Sequence, residues 1–299
     1  MTSIIIAAHN EAAVVGRCLD ALLLGAAPGE FDVTVVANGC TDATAQVAAA
    51  RSGVRVLDLP VAGKVTALNA GDSVAIGFPR IYLDADIVIP TEGVRALHDA
   101  LTVSNAATAI GAMAAAPRRD VDVSRSPLLV RAYFAINSRL PVFPNSLLGR
   151  GVVALSAEGR RRFDKFPDVV ADDLFLDSLF TAAEKRIVDR VSAQVAAPRQ
   201  TRGLLRRLVR LRRANARIRA DRAVGGGEVR RVARTSWLRD VALRHPTLIP
   251  AAGCYAAITI TASVLASLPQ RPGDAWQRDD SSRQDDYPTG DVEPADGRG

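Results

Sequence analysis

Lysine is nearly missing from these 299 residues: Lys64, Lys165 and Lys185 are the only three, so the 38 basic side chains are almost all arginine. Cysteine is as scarce. Cys18, Cys40 and Cys254 are odd in number and show no Cys-x-x-Cys or Cys/His ligand spacing, which excludes a structural zinc site and a disulfide scaffold and points to a reducing compartment. His9, His98 and His245 have neither metal nor triad spacing, and no Gly-x-Ser-x-Gly or P-loop lysine motif occurs. No basic segment precedes the first apolar run, which His9, Asn10 and Glu11 interrupt, so a secretory signal is not read and a cytoplasmic location is expected.

Against these shortages stand a sufficient size and an uneven charge. A chain of 299 residues with 48% hydrophobic side chains makes one large domain or two small ones. The net charge of +6 conceals fifteen arginines between Arg199 and Arg244 against Asp221, Glu228 and Asp240. Residues 270–299 hold eight acids against four arginines, in a composition expected of a disordered tail. A solvated helix face accounts for part of the arginine cluster. An anionic membrane surface is the sharper reading, because the uncharged stretch Thr247–Leu268 follows it. That stretch is long enough for a bilayer span but only weakly hydrophobic, so surface association on the inner face of the plasma membrane is preferred to insertion. An arginine-rich nucleic-acid-binding protein is a competing reading. Residues 199–234 contain no Phe, Tyr or Trp, however, so base stacking has no support and nucleic acid is not expected as a partner.

Hydrophobic periodicity organises the first half. Ser3–Ala8, Phe31–Ala37, Val54–Leu57 and Arg80–Leu83 read as strands. Glu11–Leu24, Thr41–Arg51, Val65–Val74 and Glu92–Val103 read as helices between and after them. The alternation predicts an α/β fold with a mainly parallel sheet, helices on both faces and ligands beyond the carboxyl ends of the strands. Ala107–Ala114 is expected as a further strand. After Pro117 the rhythm changes: Leu128–Ile136 and Leu174–Ala183 read as helices, Gly151–Leu155 and Arg186–Val195 as strands, and 200–222 as an arginine-rich helix. Gly225-Gly226-Gly227 reads as a break and Trp237–Arg244 as helical. The expected division is a catalytic domain over 1–222, a helical region over 223–269 and an acidic tail over 270–299, in which Trp276 is unusual.

Chemistry concentrates in two acidic pairs. The apolar strand Ile81-Tyr82-Leu83 ends in Asp84-Ala85-Asp86, and on extended backbone residues two apart point the same way, so both carboxylates can converge on one cation. Hard oxygen ligands with open positions suit Mg²⁺ or Mn²⁺ on a diphosphate. Asp172-Asp173 stands between apolar residues at a loop-to-helix junction. It reads either as a helix cap or as a general base able to deprotonate an acceptor hydroxyl.

Five segments in order resemble the motifs of family 2 glycosyltransferases. They are Ile4–Glu11, Val35–Asp42, Gly63-Lys64 with Ala67–Gly71, Leu83–Asp86, and Ala171-Asp172-Asp173. The resemblance extends over about residues 3–220. It implies the GT-A fold and an inverting transfer from a nucleotide-sugar donor. It further implies that Ala8, Asn10 and Glu11 line the nucleotide pocket, that Asn38 and Asp42 follow the second strand, and that Lys64 and Asn69 shape the phosphate side. Asp84 would hold ribose or a metal-bound water, Asp86 the divalent ion, and Asp173 would be the base, with Asp172 in place of the family's glutamate. Ala37 stands where the family commonly has a base-recognising aspartate. The Gln-x-x-Arg-Trp signature of processive synthases is absent, and Arg210–Arg217 resembles the segment of non-processive members. Arg213 is expected at the diphosphate, with Arg210 and Arg217 as alternatives, because a fixed guanidinium stabilises a leaving diphosphate.

The expected function is therefore a glycosyltransferase adding one sugar at a time to a glycan or lipid-linked acceptor, in cell-envelope or lipid-linked glycan synthesis. A sugar-phosphate nucleotidyltransferase is the enzymatic alternative; it calls for a Gly-rich, arginine-bearing loop after the first strand, where this chain reads Ala7-Ala8-His9-Asn10-Glu11. Pro144–Gly151 is a polar turn that either lines the acceptor site or is an ordinary loop.

Overall fold

The computed structural model describes residues 1–102, 111–168, 172–220 (side chains to 216) and 235–269. Seven strands form one sheet: β1 (Thr2–Ala8), β2 (Phe31–Asn38), β3 (Val54–Leu59), β4 (Arg80–Asp84), β5 (Ala114–Asp122), β6 (Val152–Leu155) and β7 (Lys185–Ala196). Their order is β3-β2-β1-β4-β6-β5-β7. Pairing is parallel except where β6 runs antiparallel between β4 and β5. Ile4, Ile5 and Ile6 of β1 are all fully buried, as an unbroken apolar strand requires when both faces of the sheet are covered.

The helices are α1 (Ala12–Leu23), α2 (Thr44–Ala49), α3 (Lys64–Val74), α4 (Thr91–Thr102), α5 (Leu128–Asn137), α6 (Ala157–Arg160), α7 (Asp172–Ser178), α8 (Thr201–Ala220) and α9 (Ile249–Ser267). In α1 the helical spacing of Val14, Val15, Cys18, Leu19 and Leu22 puts all five on the buried face. The helix expected over Thr41–Arg51 is shorter. Asp42 accepts from the Thr44 amide and hydroxyl and from the Ala12 amide, which holds 41–43 in a turn. The helix expected over Leu174–Ala183 ends at Ser178, because Thr181 and Glu184 cap each other and open a separate short turn, Ala182–Glu184.

Of the strand expected over Ala107–Ala114, residues 107–110 lie outside the described residues and 111–113 are not strand; β5 begins at the last position, Ala114, and runs on through Pro117. Proline has no N–H for the ladder, and the register against β7 shifts between Pro117 and Arg118. The Gly225–Gly227 break and the tail 270–299 with Trp276 lie outside the described residues.

One apolar cluster joins the sheet to α1 and α4, and another lies on the opposite face around Phe166 and Phe175. A further cluster unites α5, α8 and α9. Val130, Tyr133 and Ile136 meet Leu204, Leu208, Ala252, Tyr255 and Ile258, with the Tyr133 and Tyr255 rings stacked at 5.0 Å. The uncharged stretch is thus a helix, α9, bound by one side to the rest of the protein. Its other side exposes Ile249, Ile260, Val264 and Leu265. Pro246–Ser267 is long and apolar enough to cross a membrane by length and composition, and 22% of its most apolar window is buried inside the protein.

Candidate functional site

Six chain segments that sequence separates widely meet beyond the carboxyl ends of β1, β2 and β4. At the end of β1, Asn10 has φ +53°, a left-handed conformation that asparagine tolerates better than most residues. Its Oδ1 accepts from the Thr41 amide at 2.8 Å, tying the β1 loop to the β2 loop. Asn38 completes that tie. Its Nδ2 donates to the Ala8 carbonyl at 2.7 Å, and its Oδ1 accepts from the Gly63 amide at 3.0 Å, which positions the start of α3. Glu11 is buried, and its amide donates to Thr44 Oγ1 at 2.8 Å. Gly39, at φ +56°, packs where a Cβ would strike the backbone of Ala62.

Lys64, the first residue of α3, reaches across to β4 and α7. Its Nζ donates to Asp84 Oδ1 at 2.8 Å and pairs with Asp172 Oδ1 at 3.0 Å. Desolvation weighs against the ammonium, but the charges of Asp172 and Asp84 outweigh it, so Lys64 holds its proton more tightly than a free lysine. Asn69 faces another way. It exchanges two hydrogen bonds with the backbone of Phe166, at 2.8 and 3.1 Å, and so braces the loop before α7.

Asp84 is the last residue of β4 and Asp86 stands in the turn that follows, closed by the Ile87 amide donating to the Asp84 carbonyl at 3.1 Å, so the extended backbone expected through Asp86 ends at Asp84. Burial, followed by the charges of both aspartates, pushes the thiol of Cys18 beneath them up to about 12. Gly151 backs this carboxylate pair: its φ is +67°, its carbonyl accepts from the Asp84 amide at 2.8 Å, and a Cβ there would strike Ile87 and lie 3.2 Å from Asp84 Oδ2. Among the described residues no three His, Cys, Asp or Glu side chains gather as a metal cluster. Two carboxylates with open positions fit Mg²⁺ or Mn²⁺ whose remaining ligands come from a diphosphate and water.

Asp173 begins α7 beside Asp172. Its Oδ2 accepts from the Gly149 amide at 2.8 Å and its Oδ1 from the Leu174 amide at 2.8 Å. Burial and then the neighbouring Asp172 charge raise its proton affinity, and these exceed the opposing effects of the Gly149 amide, Lys64 and the Leu174 amide. Asp173 therefore has a carboxylate geometry fixed by two backbone donors and a basicity above the ordinary carboxylate range, as a general base needs. The polar turn 144–151 delivers Gly149 and Gly151 to the two acidic pairs.

The arginine segment is placed differently from expectation. Arg213 Nε and Nη2 donate to the carbonyls of Ala266, Leu265 and Leu268 at 3.1–3.3 Å, so this guanidinium caps the C-terminus of α9. Arg210 is exposed on α8, and the Arg217 side chain lies outside the described residues. Ala37 is fully buried and offers no polar atom to a base. Arg119, which sequence reasoning passed over, sits on the Asp173 side of the site. Burial first, then the charges of Arg207 and Arg150, lower its pKa to about 10.

The fold matches solved structures of nucleotide-sugar enzymes. A mannosyltransferase from Pyrobaculum calidifontis, in complex with GDP-Man and Mn²⁺, superposes with TM-score 0.53 at 20% identity, covering 89% of this chain and 78% of that one. Glucosyl-3-phosphoglycerate synthase from Mycobacterium tuberculosis in complex with phosphoglyceric acid superposes with TM-score 0.53 at 20% identity, covering 74% and 79%. Its complex with UDP gives TM-score 0.52 at 21% identity over the same shares. No protein of curated function matches the sequence significantly. These likenesses establish the GT-A fold. Residues 3–147, just under half of the chain, match the model of glycosyl transferase family 2, which identifies this segment as a glycosyltransferase domain.

Proposed function

We propose that this enzyme transfers one sugar residue per encounter, with inversion, from a nucleoside-diphosphate sugar to an acceptor hydroxyl. The observation that carries the reading is the placement of Asp173. Two backbone amides hold its carboxylate, and Lys64 joins its neighbour Asp172 to Asp84. The loops after β1 and β2, with Ala8, Asn10, Glu11, Asn38 and Asp42, receive the nucleotide. Lys64 lies where the phosphates enter. Asp86, with Asp84, would hold Mg²⁺ or Mn²⁺, which neutralises the diphosphate as its bond to the sugar breaks. Asp173 takes the proton of the acceptor hydroxyl while that oxygen attacks the anomeric carbon from the face opposite the leaving group.

The acceptor is proposed to be a glycan or lipid-linked hydroxyl in cell-envelope synthesis, reached from the cytoplasmic side at the membrane surface. The exposed apolar side of α9 beside the arginines of α8 supports that location. A thermal-shift panel of UDP-, GDP- and dTDP-sugars with and without Mn²⁺ tests the donor. Metal-dependent stabilisation by one of them is expected. In a transfer assay Asp86→Asn and Asp173→Asn each abolish turnover with the fold intact; full activity of either variant overturns the mechanism.

A further inference from the structure

Asp177 and Lys185 form an ion pair sealed inside the protein. The two side chains are 4% and 6% exposed, and Lys185 Nζ lies 2.9 Å from Asp177 Oδ1. The pair sits among apolar side chains: Asp177 follows the buried Leu176 on α7 and bonds to the backbone of the buried Leu147, both members of the cluster around Phe166 and Phe175. A buried pair is a poor source of stability, because desolvating two charges offsets most of their attraction and apolar residues of similar volume do as well. What an apolar pair could not supply is an acceptor. Lys185 Nζ also donates to the Asp177 carbonyl at 2.9 Å, which fixes the carboxylate, and the same Oδ1 accepts from the Leu147 amide at 2.8 Å.

Leu147 stands two residues before Gly149, whose amide donates to Asp173 Oδ2 at 2.8 Å. Asp177 stands four residues after Asp173, one turn further along the same face of α7. The segment 147–149 is therefore tied to α7 by two amide-to-carboxylate bonds, one at the base and one buried at Asp177. Arg150 fastens the same turn from its other side by donating to the carbonyls of Ser146, Pro117 and Phe143. A base that accepts a proton weakens its own hold on an amide. Asp177 takes no part in proton transfer, so its hold on the turn persists through turnover.

We propose that Asp177, braced by Lys185, is a positioning residue for the base: it holds Leu147 so that the Gly149 amide meets Asp173 and keeps that carboxylate in one orientation. The proposal rests on the assignment of Asp173 as the base.

Two double variants separate this role from a structural one. The first, Asp177→Leu with Lys185→Met, removes both charges together and leaves the Leu147 amide without an acceptor. The second, Asp177→Asn with Lys185→Met, removes the same charges but keeps an acceptor oxygen in place. The charges that face Asp173 are Asp172 on α7, Lys64 on α3 and Arg119 on β5, and neither variant alters them. Carboxyl-carbon NMR on the full chain, assigned with Asp173→Asn, follows the titration of Asp173. In the first variant it is expected to move to higher pH by about half a unit or more, because the Gly149 amide favours the charged form.

Hydrolysis of whichever UDP-, GDP- or dTDP-sugar stabilises the chain with Mn²⁺, with water as the acceptor, is the kinetic readout. In the first variant kcat falls at least about tenfold, as a displaced catalytic group predicts. Donor KM stays within about twofold of wild type, since neither residue touches the donor loops. The second variant restores both the titration and kcat. If the first variant does not fold, Asp177→Glu decides, because it keeps the charge and moves the acceptor oxygen by one carbon; the same shift and loss of kcat are expected at unchanged donor KM. A wild-type titration and kcat in the first variant or, failing it, in Asp177→Glu overturn the proposal, as does a second variant no more active than the first. Full activity of Asp173→Asn refutes the base assignment separately.

Discussion

Lys64 Nζ stands 3.0 Å from Asp172 Oδ1, and the same ammonium holds Asp84 at 2.8 Å. One lysine, in a chain with three, therefore ties the carboxylates of the metal side to those of the base side. It also explains how four aspartates share a small space: the ammonium offsets part of their mutual repulsion before any donor binds.

Replacing Lys64 by methionine is expected to weaken nucleoside-diphosphate binding and to leave Asp84 and Asp172 without their shared cation. The loss of a charge-assisted contact predicts an affinity reduction of about tenfold or more, read by titration calorimetry. Nucleotide affinity equal to wild type would remove Lys64 from the phosphate side.

The activity should have an acidic limb set by Asp173. Its folded proton affinity is raised by burial and by Asp172, so the carboxylate becomes protonated, and useless as a base, at a pH above the ordinary carboxylate range. Turnover is expected to fall as pH drops through that raised value, and Asp172→Asn should move the limb to lower pH by removing the second charge. A kcat profile against pH for the two proteins checks the sign.

Away from the site, Asp72 on α3 accepts from Arg80 at 2.9 Å and from the Tyr82 hydroxyl at 2.7 Å, and its other oxygen takes Arg160 Nε at 2.8 Å. Burial opposes its charge, but the hydrogen bonds from Arg160, Tyr82 and Arg80 win and hold its carboxyl below the usual range. The stability it contributes is therefore present above the unfolded-state pKa and lost as pH falls through the lower folded value. Asp72→Ala leaves two arginines without their acceptor and is expected to cost about 3 kcal/mol, measured by urea unfolding at neutral pH.

Gly151→Ala puts a Cβ against Ile87 and beside Asp84 at a φ of +67°. The left-handed conformation alone costs about 1–2 kcal/mol. A lowered Tm is expected together with weaker Mn²⁺-dependent stabilisation by the donor, because the added carbon displaces Asp84. A variant that loses stability but keeps that metal dependence would separate Gly151 from the carboxylate pair.

Arg213→Ala removes the cap on α9. The expected result is a loss of about 1 kcal/mol of stability, read from the unfolding midpoint, with the donor KM unchanged. An increased donor KM at unchanged Tm would return Arg213 to the diphosphate.

The parallel half of the fold was legible because local rules and tertiary demands agree there. An unbroken run such as Ile4–Ile6 suits a strand covered on both faces, and the spacing of Val14, Cys18 and Leu22 suits a helix with one buried side. Legibility fell after Pro117. There β5 survives a proline through a bulge, and α7 stops where Thr181 and Glu184 cap a new turn, neither of which periodicity reports. Of the site, Asp84, Asp86 and Asp173 could be picked out because carboxylates at apolar boundaries stand out in a string of letters. Arg119 could not, since it is one arginine among many.

By itself the sequence determined the alternation of elements, the strand-end position of Asp84 and Asp86 and the family to which the first 147 residues point, because those depend on local pattern and motif order. Only the tertiary structure decided which charges share a space. It brought Lys64 to Asp172, gave Arg213 to the end of α9, and set Arg119 on Asn137 and the Phe143 ring. Pairing of charges depends on distances across the fold, and those are set by how α3 and α7 meet the end of β4 and by how α8 packs on α9, rather than by spacing along the chain.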